Sequence, residues 1–159
     1  MKYLTRPILL AVSFLLILTC CGRKYYEEEI NAFLENIDAF QHVNALIIDY
    51  VTANDIAAET IVVGYDEDGA VARLYPYTDS LSTDDIASLT TIKELLHGDF
   101  DFIRCYGGRI SYAGDGSRVY VYMENDQPPS FFWYPDDGLR FETYKICDNW
   151  YLLYHYFGR

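Results

Sequence analysis

The sequence predicts an α+β domain in which N-terminal helices pack on one face of an antiparallel β-meander of about five to seven strands. Three observations predict it. Apolar residues recur at helical spacing early in the chain, and in short strand-like runs after residue 98. Those late runs are divided by Gly, Asp, Asn and Pro turns, too closely for the dozen or more residues that a parallel crossover needs. Tyrosine is abundant, at 16 residues, and it favours a pleated, half-buried surface.

The elements follow in order. Ile30, Phe33, Leu34, Ile37 and Phe40 form a helical stripe, and Glu27, Glu28 and Glu29 suit the positive end of that helix's dipole. The stripe continues from Ile47 to Val51 with an interruption expected at Gln41–Asn44, giving one long helix or two short ones. Residues 61–65 and 71–75 read as a hairpin around Asp68-Gly69, where glycine supplies the positive φ. Ser82 followed by Asp85 resembles a capping box that opens a helix carrying Ile86, Leu89, Ile92 and Leu96. Gly98 is expected to close that helix. Beyond it, strands are expected at 102–106, 109–112, 119–123, 131–134, 139–147 and 150–157.

Length and composition leave room for one domain with a real core, since 51% of the 159 residues are hydrophobic. The charge is lopsided, with 12 Lys and Arg against 24 Asp and Glu and a net charge of −12. Such a field repels phosphate backbones, so nucleic acid is excluded as a partner.

The first residues carry an address. Lys2 and Arg6 precede an apolar run from Pro7 to Leu18, and Thr19-Cys20-Cys21-Gly22 follows. A positive start, about a dozen apolar residues and a small-residue cleavage region are the parts of a secretory signal. The run falls short of the roughly 20 apolar residues of a membrane-spanning helix. The segment Leu18-Thr19-Cys20-Cys21 resembles the lipobox of bacterial lipoproteins. That resemblance implies that Cys21 is the first mature residue and carries the lipid, with Cys20 as the alternative. It further implies export and a lipid anchor in the cell membrane or outer membrane. Each buried methylene of such an anchor contributes about 0.8 kcal/mol. On this reading residues 1–20 are signal peptide, 21–28 the lipidated cysteine and a short tether, and 29–159 a single domain.

Two further cysteines, Cys105 and Cys147, are either a disulfide, which export would permit, or a pair of buried thiols. Metal-ligand spacing is absent. His42, His97 and His155 stand alone, and Asp66-Glu67-Asp68-Gly69 is only a fragment of a calcium loop, so it reads as a hairpin turn. No G-x-S-x-G elbow or phosphate-binding glycine loop occurs. No catalytic residue, metal or cofactor is therefore expected. The most distinctive feature is aromatic: Trp133, Tyr134, Trp150 and Tyr154 are either a binding face for a protein or glycan partner, or an aromatic core. The functional expectation is a non-catalytic binding module tethered to the envelope. The alternative is a ligand-binding cup or small hydrolase with its pocket in a curved sheet.

Mass spectrometry of the processed protein should find a lipid on the N-terminal Cys21, and Cys21→Ser should leave an unlipidated precursor. An unmodified N-terminus beyond Cys21 in soluble material would contradict the lipobox reading.

Overall fold

The computed structural model describes residues 26–78, 80–97, 100–113, 118–129 and 140–156. The chain divides into two units, residues 1–35 and 36–159. Within the first unit, residues 26–35 form helix α1. The second unit holds α2 (Ile37–Ala53), β1 (Ala58–Tyr65), β2 (Val71–Tyr75), α3 (Thr83–Leu95), β3 (Phe102–Tyr106), β4 (Arg109–Ala113), β5 (Arg118–Met123), β6 (Arg140–Cys147) and β7 (Trp150–Tyr156). The fold is α+β with a single antiparallel sheet of seven strands.

Strand order across the sheet is β2-β1-β3-β4-β5-β7-β6, which departs from a simple meander at both ends. The chain passes over β1 between β2 and β3, and over β7 between β5 and β6. Only β3, β4 and β5 are consecutive neighbours in a run. The expected strand at 131–134 lies outside the described residues.

Local chemistry accounts for most boundaries. At the β1–β2 turn the Asp66 carboxylate accepts from the amides of Asp68 (3.0 Å) and Ala70 (2.8 Å). The acids of this turn thus organise a hairpin, as expected. Gly107 and Gly108 have φ of 52° and 76°, the backbone that a two-residue hairpin between Tyr106 and Arg109 requires and that side chains resist. In α3 the capping box is complete: Ser82 Oγ accepts from the Asp85 amide and Asp85 Oδ2 accepts from the Ser82 amide. α3 runs unbroken through Thr90 and Thr91, where the Thr91 hydroxyl donates back to the Ala87 carbonyl. At its far end His97 has a φ of 58°; Gly98, expected to close the helix, lies outside the described residues.

The interruption expected at Gln41–Asn44 is absent, and the helical run breaks at Asn36 instead. The reason lies in packing. Register aligns Ile103, Tyr112, Tyr120 and Leu152 across β3, β4, β5 and β7, on one face of the sheet. Phe40 of α2 sits among Tyr112, Tyr120 and Trp150, with ring centroids 5.2–5.5 Å apart in edge-to-face contact. One turn later the buried Asn44 accepts from the Tyr112 hydroxyl at 2.7 Å. Asn44 looks like a gap in the apolar stripe, yet it is the group that satisfies a buried phenol.

Tyr50 of α2 meets Tyr77, in the turn after β2, edge to face at 5.1 Å, and α2 is also packed by α3. Lys93 Nζ of α3 donates to the Gly69 carbonyl (2.6 Å) and lies 4.6 Å from the Tyr65 ring centroid. The opposite sheet face has its own apolar cluster of Ala113, Val119, Val121, Tyr151 and Leu153.

Single and double substitutions test this packing by urea denaturation. Phe40→Ala should cost about 3–5 kcal/mol. Asn44→Ala should cost about 1–3 kcal/mol by leaving the Tyr112 hydroxyl buried without its partner, and adding Tyr112→Phe should recover much of that loss.

Candidate functional site

The expected site residues are dispersed. Cys20, Cys21, Trp133 and Tyr134 lie outside the described residues. Tyr154 is half-buried on β7. Trp150 is only 3% exposed, because its place on β7 puts it beneath α2 against Phe40 and Tyr122. Trp150 therefore belongs to the core and not to an exposed aromatic face.

A bridge between Cys105 and Cys147 is ruled out by strand order. Both are free thiols, on β3 and β6, with β4, β5 and β7 between them. Four strand spacings amount to about 19 Å, whereas a disulfide needs Cα atoms within about 7 Å. Burial first, then the nearby Glu59 carboxylate, pushes the Cys105 thiol up to about 12. Burial also raises the Cys147 thiol, with Asp148 adding to it. Neither thiol has the depressed pKa of a reactive cysteine.

One serine, one histidine and one aspartate do meet. His42 Nε2 lies 2.8 Å from Asp85 Oδ1, and Asp85 is bonded to Ser82. The geometry is that of a helix cap and not of a triad. Ser82 Oγ accepts from a backbone amide, and Asp85 stands where a triad would place the histidine. Burial pushes the Asp85 carboxyl up, but the hydrogen bonds from His42 and Ser82 outweigh it and hold the group below the ordinary carboxylate value. Among the described residues no three His, Cys, Asp or Glu side chains gather as a metal site. No helix of the described residues is long and apolar enough to cross a membrane.

Among the described residues, two adjacent hollows lie beneath α2. The first, about 350 Å³, lies between the C-terminal half of α2 and the β3–β4 hairpin. Its floor is Cys105, Ile110 and Tyr122, one register row of the sheet. Its walls include Ile48, Val51 and Ile56, and Glu124 stands at the rim. The second, about 500 Å³ and more open, runs towards the β6–β7 turn. It is lined by Ile37, Ala45, Trp150 and Asp148. Ile48 and Tyr122 belong to both, so the hollows form one groove along α2. Sequence reasoning missed it. Ile48 falls on the helical stripe, but no local pattern says that its neighbours leave space.

A polar clasp fixes the end of the groove. Asp126 Oδ2 accepts from Lys145 Nζ at 2.6 Å, and Asp126 Oδ1 accepts from the Asn149 amide at 2.7 Å. The Tyr151 hydroxyl donates to the Asp126 carbonyl, and Asn149 Nδ2 donates to the carbonyls of Met123 and Glu124. Asp126 and Asn149 both adopt positive φ, at 48° and 68°. The clasp ties the exit of β5, which carries Glu124, to the turn that carries Asp148. The hydrogen bond from Lys145, followed by that from the Asn149 amide, holds the Asp126 carboxyl below its ordinary value.

No protein-family model, curated protein or solved structure matches the chain.

The clasp has a definite pH dependence. A carboxyl whose folded pKa is depressed adds stability above its unfolded pKa and loses it as pH falls through the folded value. For Asp126 the loss therefore begins below the ordinary 3.8. Lys145 is raised from 10.5, so its contribution holds below that value and fades as pH rises through the folded pKa. Urea midpoints should show Asp126→Asn less stable than wild type at neutral pH, with the gap narrowing as pH drops below about 4. A gap independent of pH would contradict this assignment.

Proposed function

We propose that the mature domain is an exported, lipid-anchored binding module, held at a membrane face through Cys21, that recognises its ligand or partner in the groove along α2. The groove carries this reading. It is concave, mostly apolar, built on a helix and strands, and edged by a few polar groups, as binding sites are. Its first hollow alone lies within the usual range of about 300–1,000 Å³ for small-ligand pockets.

The groove lining offers tyrosine, carboxylates and a high-pKa thiol, and no histidine. Binding fits those groups better than hydrolysis, which would need an activated nucleophile beside a base. The one Ser-His-Asp cluster in the described residues is occupied in capping α3. The acidic charge suits a tethered domain that must not adhere to anionic lipid. A glycan or a protein side chain could use the same aromatic walls that a small molecule would use.

Titration of the isotope-labelled domain, without residues 1–20, with indole tests the site. Indole should shift the amides of α2 from Ile48 onwards and of the β3–β4 hairpin. Ile48→Trp, which fills the groove from a position already 41% exposed, should abolish those shifts while leaving the fold intact. Absence of any shift, or shifts confined to the opposite sheet face, would overturn the reading.

A further inference from the structure

We propose that the groove selects a compact organic cation, an ammonium group on an apolar aromatic or aliphatic frame, with the frame against Tyr122 and Ile48 and the charge towards Glu124. The inference rests on the preceding reading of the groove as a binding site and adds the chemistry of its occupant.

Size comes first. About 350 Å³ holds a small ring with a short arm, and its apolar walls reward burial of such a frame. The aromatic wall is second. Tyr122 forms part of both hollows and stands edge to face with Trp150 at 5.4 Å. Its ring gives the frame an aromatic wall to pack against.

Charge placement is third. Glu124 stands at the rim of the first hollow, whereas Asp148, which lines the second, already has Lys145 Nζ 3.7 Å from its Oδ1. The Glu124 amide donates to the Gly108 carbonyl at 2.9 Å. Its carboxylate lies so close to Gly108 that a Cβ there would come within 2.6 Å of Oε2. The hairpin glycine therefore leaves room for that carboxylate at the mouth. Arg109 is the one cation among these lining residues, set against the carboxylates of Glu124 and Asp148. The net charge of −12 adds a long-range field of the same sign.

The test compares three probes of one shape by isothermal titration and amide shifts: phenethylamine, phenethyl alcohol and phenylpropionate. Phenethylamine should bind about tenfold or more tightly than the alcohol, and phenylpropionate most weakly. Glu124→Gln, at an exposed position, should weaken the amine about tenfold and leave the alcohol unchanged, with an unaltered urea midpoint. Alcohol or propionate binding as tightly as the amine, or amine binding indifferent to Glu124→Gln, would overturn the proposal. If indole shifts the groove amides but the amine shows no advantage, the charge inference alone fails. If indole is silent too, the groove is not the binding site and both readings fall.

Discussion

The structure depends on how α2 is fastened to the sheet. Phe40 enters a ring of Tyr112, Tyr120 and Trp150, and Asn44 closes the contact by accepting from the Tyr112 hydroxyl. Burial of that phenol pushes its pKa well above the ordinary value, so it is a neutral donor at neutral pH. The interaction is apolar at its centre and polar at one fully satisfied point. That combination fixes the helix in register as well as in contact.

Fastening at Phe40 and Asn44 has a consequence further along the helix. The last turns of α2 pass above the ends of β3 and β4, where the sheet presents Cys105, Ile110 and Tyr122. Those side chains do not reach Ile48 and Val51, and the groove is the space left. Its boundaries are held separately: the Gly107-Gly108 turn shapes one end, and the Asp126–Lys145–Asn149 clasp holds the other. A helix anchored at one point over a rigid floor is a simple way to keep a hollow open, because closing it would strain the anchor.

Features set within a few residues were legible in the sequence. Ser82 and Asp85 announce the start of α3 because capping is an i, i+3 affair. The Asp66–Gly69 and Gly107-Gly108 turns are equally local. What depended on distant partners was not legible. Asn44 reads as a break in the helical stripe until Tyr112, 68 residues away, supplies its reason. Trp150 reads as surface or core until the pairing of β7 with β5 sets it against Phe40 of α2. The cysteine pair fails on the same ground, since their separation is set by how many strands lie between β3 and β6. The groove was the least legible feature, because unfilled space is a property of packing and leaves no mark on periodicity.

Native-state hydrogen exchange along α2 addresses the anchoring most directly. Amides around Phe40 to Ile47 should exchange only with global unfolding, and those from Ile48 to Ala53 should open at lower free energy because they overlie the groove. Uniform protection along the helix, or stronger protection in its last turns than around Phe40, would contradict the account.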